Sequence, residues 1–254
     1  MQLVPASAHA VSWSLLAHVV TAHAAHPFIT DDTRTQGTGK YELQLGAQYT
    51  RAPFDEVVIS NLQFAPQLTY GVAPDVDAIL RPTYIVNVLT GAVGGRAAGF
   101  GDTSVEFKWR IWSTDELSVG MSAGSGFASG NFDRGLDSGQ STPHAYLLFT
   151  AVLPSTELDV NVGTTRNVND AAARQWLGHV SVLALWRVRD DLHLGADLAV
   201  DQSPLRSVSR MPVVLLLGAI AKASTDWDLD VGYQRGLNRS APRNQVLLGA
   251  TLRW

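Results

Sequence analysis

The stretch "NQVLLGATLRW", residues 244–254, decides the fold. Read backwards from Trp254, every second residue is apolar: Leu252, Ala250, Leu248 and Val246. Between them lie Arg253, Thr251, Gly249, Leu247 and Gln245, which are mixed and mostly small or polar. A period of two is the spacing of a β-strand with one apolar face and one wetter face. A soluble sandwich would set the apolar face against a second sheet. An outer-membrane barrel would set it against lipid, with an aromatic residue at the interface.

The same pattern recurs along the chain. "YELQLGAQYT" puts Tyr41, Leu43, Leu45, Ala47 and Tyr49 on one face; "TSVEFKWRIW" sets Val105, Phe107, Trp109 and Ile111 against Glu106, Lys108 and Arg110. "ELDVNVGT", "DLHLGADLAV" and "DWDLDVGYQ" repeat it, and helical spacing fits none of these windows. Compact turns ("GVAPDVD", "WSTDEL", "LPSTEL", "VRDDL", "ASTDWD") supply the Pro, Asp, Ser and Thr that tight connections need. They alternate with longer Gly-rich or polar loops: "APFDE", "LTGAVGGRAAG", "ASGNFDRGLDSGQ", "NVNDAAARQ", "QSPLRSVSR" and "RGLNRSAPRN". Outer-membrane barrels have even strand numbers, short periplasmic turns and longer extracellular loops, whereas a sandwich has no reason to sort its loops by parity. The expectation is an all-β transmembrane antiparallel barrel of about twelve strands over residues 40–254, in the outer membrane of a Gram-negative bacterium.

Composition agrees. The chain has 254 residues, 46% hydrophobic and only 17% charged, against roughly 25% charged in an average domain. Past the N-terminus no apolar run approaches the roughly 20 residues of a spanning helix. A net charge of -4 gives no reason to expect nucleic acid as a partner. The absence of cysteine excludes disulfides, thiol catalysis and Cys-ligated zinc. Residues 1–24 read as a signal peptide, with an apolar stretch at residues 11–20 before Ala22-His23-Ala24, although the first residues carry no Lys or Arg. Trp112, Trp186, Trp227 and Trp254 sit at the turn ends of their strands, as an interfacial girdle requires. Arginines gather at the loop end (Arg51, Arg96, Arg134, Arg166, Arg174, Arg206, Arg235, Arg239, Arg243). They either pair with lipopolysaccharide phosphates or simply solvate the strand ends. Acids gather at the turn end: Asp75, Asp77, Asp115, Glu116, Glu157, Asp190, Asp191 and Asp226.

"AAHPFITDDTRTQGTGKYELQL", together with "GFGDTSVEFKWRIW" at residues 99–112, resembles a family of proteobacterial outer-membrane proteins labelled transporters or "MetA-pathway of phenol degradation" proteins. The matching residues are His26, Pro27, Phe28, Ile29, Thr30, Asp31, Asp32, Thr35, Gln36 and Gly37, then Gly101, Asp102, Thr103 and Lys108. The resemblance implies a β-barrel with an uptake role, and it brings no catalytic residues and no cofactor.

Candidate functional residues are those facing the lumen. The expected solute path comprises Glu106, Lys108, Arg110, Arg187, His193, Asp197, Asp228, Asp230 and Arg253, with Glu42, Arg81 and Asp159 also inward. About twelve strands enclose a narrow interior that side chains or a plug can fill, which suits small hydrophobic or aromatic solutes better than a water-filled pore. The rivals are a structural or adhesin-like barrel with a closed lumen and partner-binding loops, and a lipid-modifying barrel enzyme. His179 and Ser181 share an inward face two residues apart, about 7 Å by strand rise, and no carboxylate follows to orient the ring. The expectation is therefore a hydrogen-bonded lumen histidine and no enzyme. His26, Asp31 and Asp32 are the one set of metal-ligating types, read as a solvated segment with no metal. Residues 25–39 are expected to be either a periplasmic plug or a loose leader. Partners expected besides a small-molecule solute are lipid, lipopolysaccharide and the barrel-assembly machinery, for which Trp254 and Leu252 form the signal; the barrel is expected to be a monomer. In the last hairpin, a turn centred between Ser240 and Ala241 sets Trp227 opposite Trp254, Asp228 opposite Arg253 and Leu229 opposite Leu252.

Overall fold

A computed structural model describes residues 26–54, 57–91, 94–167 and 173–254; the expected signal peptide and parts of three expected loops lie outside the described residues. Fifteen hydrogen-bonded segments follow in chain order. They are β1 (Tyr41–Phe54), β2 (Val57–Phe64), β3 (Gln67–Ala73), β4 (Val76–Arg81), β5 (Tyr84–Gly91), β6 (Gly95–Phe100), β7 (Thr103–Ser113) and β8 (Leu117–Phe127). After a single helical turn at Phe132–Arg134 come β9 (Thr142–Val152), β10 (Thr156–Arg166), β11 (Trp176–Arg189), β12 (Leu192–Asp201), β13 (Val213–Lys222), β14 (Trp227–Gly236) and β15 (Asn244–Arg253).

Three pairs of these segments are halves of one stave each. Pro66 separates β2 from β3 and Pro82 separates β4 from β5, since a proline has no N–H to give to the ladder. Gly101-Asp102 separates β6 from β7. β1 spans both halves, pairing with β3 through Tyr41–Gln44 and with β2 through Ala47–Phe54. β15 closes on β1 from Glu42↔Arg253 to Thr50↔Gln245, so the expected twelve-strand antiparallel barrel is complete and has no open edge there. Among the described residues no helix is long and apolar enough to cross a membrane; the strands do the crossing.

The molecule is inside-out relative to a soluble protein. Leu45, Tyr49, Val105, Phe107, Trp109, Val180, Val182, Leu229, Val231 and Leu248 are all exposed on the outer face, while Glu42, Gln44, Asn61, Asp77, Arg81, Asn87, Glu106, Lys108, Asp159 and Asp197 are buried within. An apolar belt of that extent is tolerable only in hydrocarbon. Trp112, Trp186, Trp227 and Trp254 are exposed at the turn ends, where the girdle was expected.

Two expectations are corrected. In the last hairpin Trp227 pairs with Leu252, Asp228 with Thr251 and Leu229 with Ala250, two residues away from the expected register. A shift of two keeps every side chain on its own face, so alternation cannot detect it. Arg253 still reaches Asp228 diagonally at 2.5 Å and Glu42 at 2.8 Å. The first two long loops are also mostly strand, since β1 runs to Phe54 and β6 begins at Gly95. One long loop, residues 128–141, folds back over the inner face of β6. Leu136 is 1% exposed and packs over Gly99, while Ser129 Oγ donates to the Gly101 carbonyl at 3.1 Å.

Candidate functional site

Residues 26–39 lie inside the barrel and follow the inner wall through the strand order from β14 round to β3, where the chain enters β1. His26 Nδ1 bonds the Asp230 carboxylate on β14. The Phe28 ring sits on β12 and β13. Asp197 on β12 accepts from Ile29 N at 2.6 Å, Thr30 N at 2.8 Å and Thr30 Oγ1 at 2.8 Å. Asn161 on β10 takes both backbone groups of Asp31, at 2.6 and 2.9 Å. Thr33 N donates to Thr150 Oγ1 on β9 at 3.1 Å, and Gln36 N donates to Asp77 on β4 at 3.1 Å. An irregular backbone inside a wall of polar side chains thus finds side-chain acceptors for the N–H groups of Ile29, Thr30, Asp31, Thr33 and Gln36.

The wall is shaped to admit it. A Cβ on Gly195 would come within 2.3 Å of the Phe28 ring, and one on Gly249 within 2.3 Å of His26 Nδ1. Gly195, Gly218 and Gly232 are cross-strand neighbours on three adjacent strands, and Gly249 faces Gly46 across the closing seam. These glycines form a track along which the rings of His26, Pro27 and Phe28 lie close against the wall.

Charge holds the middle of the circuit. Lys108 Nζ lies 3.1 Å from Asp31 Oδ1 and 3.5 Å from Asp32 Oδ1, and donates to the Asp32 carbonyl at 3.2 Å. Arg34 grips Glu157 with two bonds of 2.6 and 2.8 Å and also pairs with Asp32. Burial pushes the Asp31 carboxyl up to about 6 despite the pull of Lys108. Burial acts on Asp32 in the same direction, but there Arg34 and Lys108 outweigh it and hold the group at about 2.

Above the segment, the lumen is packed with polar groups. His144 bonds Glu106 at 2.9 Å, Arg81 bonds Gln67, and Asn61 donates to Asn87 at 2.7 Å. Tyr146 lies edge-on to His179, with ring centroids 5.7 Å apart. His179 corrects the sequence reading on two counts: its Nε2 is 3.1 Å from Ser181 Oγ, and Asp201, its cross-strand partner, holds Nδ1 at 2.7 Å. Strand rise separates the backbones, but side chains on one face lean together, and the orienting carboxylate comes from the neighbouring strand rather than from the same one.

Of the expected path residues, Glu106, Lys108, Asp197 and Asp230 are buried in the lumen, and the last three hold the segment directly. Asp228 and His193 are half-buried toward the turn end. Arg110, Arg187 and Arg253 belong to the turn-side rim instead, where they bond Asp75, the Pro154 carbonyl, and Glu42 with Asp228. Asp77 and Glu157, read as solvated strand ends, are contacts of the segment. Residues 26–39 are likewise not a solvated leader, and among the described residues no group of three His, Asp or Glu could hold a metal. Sequence reasoning missed Asn161, Thr150 and the glycine track. Glycines at inward positions of neighbouring strands are the signal that could have found them.

Comparison with solved structures places the barrel among outer-membrane proteins. It is similar to the COG4313 outer membrane channel from Pseudomonas putida F1, with a TM-score of 0.69 at 11% identity over 88% of this chain and 98% of that one. It is also similar to the KdgM porin, at 0.56 and 10% identity over 84% and 99% of the two chains. The translocator domain of the autotransporter NalP from Neisseria meningitidis gives 0.53 and 12% identity over 98% and 96%. At such identities the likeness shows the fold. No curated protein matches the sequence. Residues 26–254, from the lumenal segment through the last strand, match the family model described as "Putative MetA-pathway of phenol degradation", and the chain belongs to that family.

Proposed function

We propose that the protein is a monomeric, non-enzymatic outer-membrane channel for small hydrophobic or aromatic solutes, kept shut by residues 26–39 acting as a plug. The observation that carries this reading is the apolar cluster inside the lumen: Phe28 and Ile29 of the segment pack with Leu183, Ala199, Val214, Leu216 and Leu247 of the wall. A general porin lines its lumen with polar groups. A wall with apolar side chains facing inward favours passage of apolar molecules once the segment moves. The charged residues of the path, Glu106, Lys108, Asp197 and Asp230, then act chiefly as docking points for the plug. The loop-end arginines pair with lipopolysaccharide, and Trp254 with Leu252 is read by the assembly machinery.

Deleting residues 26–39 behind an intact export signal tests the plug. Single-channel conductance of the purified barrel should rise several-fold, and liposomes should take up phenol faster. Unchanged conductance from a folded barrel would remove the plug and leave the closed structural or adhesin-like reading.

One arrangement favours a second reading, acyl hydrolysis: Asp201, His179 and Ser181 form a hydrogen-bonded series of the kind that activates a serine. Against it, Ser181 is fully buried, and the amide of its cross-strand partner Asn161 is committed to the Asp31 carbonyl. A fluorophosphonate probe should leave Ser181 unlabelled in both the intact protein and the deletion. Labelling that is lost in Ser181→Ala would establish a hydrolase.

A further inference from the structure

We propose that the niche filled by Phe28 is the channel's binding site for an aromatic ring bearing a hydrogen-bond donor, and that Phe28 is a built-in occupant which the solute displaces. This rests on the uptake reading above and adds a location and a chemistry to it.

From Thr30 onward the segment is held by hydrogen bonds and ion pairs, for which no apolar wall is needed. Phe28 is held differently. It is 4% exposed, and its ring lies directly on the backbone of β12 and β13, where a Cβ on Gly195 or Gly218 would approach to 2.3 or 2.9 Å. Leu183 and Leu216, 4% and 0% exposed, belong to the same cluster. Two facing glycines make the floor of a flat slot, and Leu183 and Leu216 flank Asp197 two residues further along the same face.

The chemistry at the edge of the slot follows from Asp197. It is fully buried, lies two residues from Gly195 on the same face of β12, and accepts all three of the donors described above from Ile29 and Thr30. When the segment leaves, a buried carboxylate loses those donors, which is costly unless they are replaced. A ring in place of Phe28, carrying a hydroxyl or amine, supplies one. A ring radius plus a hydrogen bond of about 2.7 Å falls within the roughly 6.6 Å that separates residues i and i+2 of a strand. Aromatic carboxylates are excluded, because their charge meets that of Asp197.

Solute and Phe28 compete for one place, so wild-type affinity is reduced by the fraction of time the slot is empty. Calorimetric titration of the purified full-length barrel with phenol, toluene and benzoate, corrected for detergent, reads this out. Phe28→Ala should bind phenol about tenfold or more tightly than wild type, toluene more weakly than phenol, and benzoate not at all. Gly195→Val added to Phe28→Ala should abolish phenol binding, because the new side chain occupies the space that the ring vacated. Gly218→Ala serves the same purpose if that variant does not fold, with heat-modifiable migration on gels reporting folding. Asp197→Asn added to Phe28→Ala should erase the preference for phenol over toluene. Equal phenol affinity in wild type and Phe28→Ala, or binding that survives both glycine substitutions, would overturn the site. Phenol flux into liposomes is measured separately: binding without flux sinks the uptake reading alone, and flux without binding sinks the site alone.

Discussion

Lys108→Met should open the barrel. Lys108 is the buried cation between Asp31 and Asp32, 7% exposed and within 3.1 and 3.5 Å of their carboxylates. Methionine matches its length but leaves Asp31 without its ion-pair partner, since Arg34 serves Asp32 and Glu157. Removing one partner of a buried pair costs about 3–5 kcal/mol, and each 1.4 kcal/mol is about a tenfold change in an equilibrium. The docked state should therefore lose a factor of roughly a hundred to several thousand against the released state. Planar-bilayer recordings should show frequent large openings where the wild type is mostly shut. Lys108 points from β7 into the lumen and its replacement breaks no strand pairing, so gel mobility and thermal stability should hold. Asp31→Asn in the same chain should restore closure by removing the stranded charge.

The pH dependence has a definite sign. Asp31 sits at about 6 when docked, above the ordinary carboxylate value, so docking takes up a proton. Closure therefore strengthens as pH falls from above 6 toward 4, and the part due to Asp31 is lost as pH rises through about 6. Without Lys108 the effect grows, and Lys108→Met channels open at pH 7.5 should close at about pH 5. Asp32, held at about 2, works in the opposite sense, but only below about pH 4. Openings of Lys108→Met that are independent of pH, or absent, would show that the ion pair does not hold the segment.

Trp254→Asp should sharply reduce assembled barrel in cells while changing refolding into detergent little. Trp254 stacks on Tyr41, with centroids 5.5 Å apart and planes at 10°, and Tyr41 leans on Tyr70 at 4.7 Å. Two backbone bonds join Tyr41 and Trp254 at 2.9 and 3.1 Å, at the seam where β15 closes on β1. Loss of one aromatic pair costs about 0.5–1.5 kcal/mol, and an acid near the interface adds at most about 1 kcal/mol. A barrel closed by nine paired positions between β1 and β15 survives that in vitro. A fall of tenfold or more in heat-modifiable protein in outer-membrane fractions, with refolding into detergent unchanged, would identify recognition during assembly. Normal levels in vivo would reduce Trp254 to a packing residue.

How far the sequence reaches is clear from these same residues. Alternation over ten-residue windows, with short turns set against long loops, was enough for the barrel, its strand number, its outer face and the tryptophan girdle. Each of these follows from the period of two and from the cost of placing charge in hydrocarbon, which are local properties of the chain. The pairing of Trp227 with Leu252 was not legible, because a two-residue slide preserves every face. Nor was the Asp201–His179–Ser181 series, whose carboxylate arrives from a neighbouring strand. Nor was the circuit of residues 26–39, which has no period and takes its conformation from partners such as Asp230, Asp197, Asn161, Lys108 and Asp77, brought together only when the sheet closes. An irregular segment encodes no shape by itself. The tertiary structure decided it, by placing glycines where the backbone approaches the wall and polar side chains where its N–H groups point.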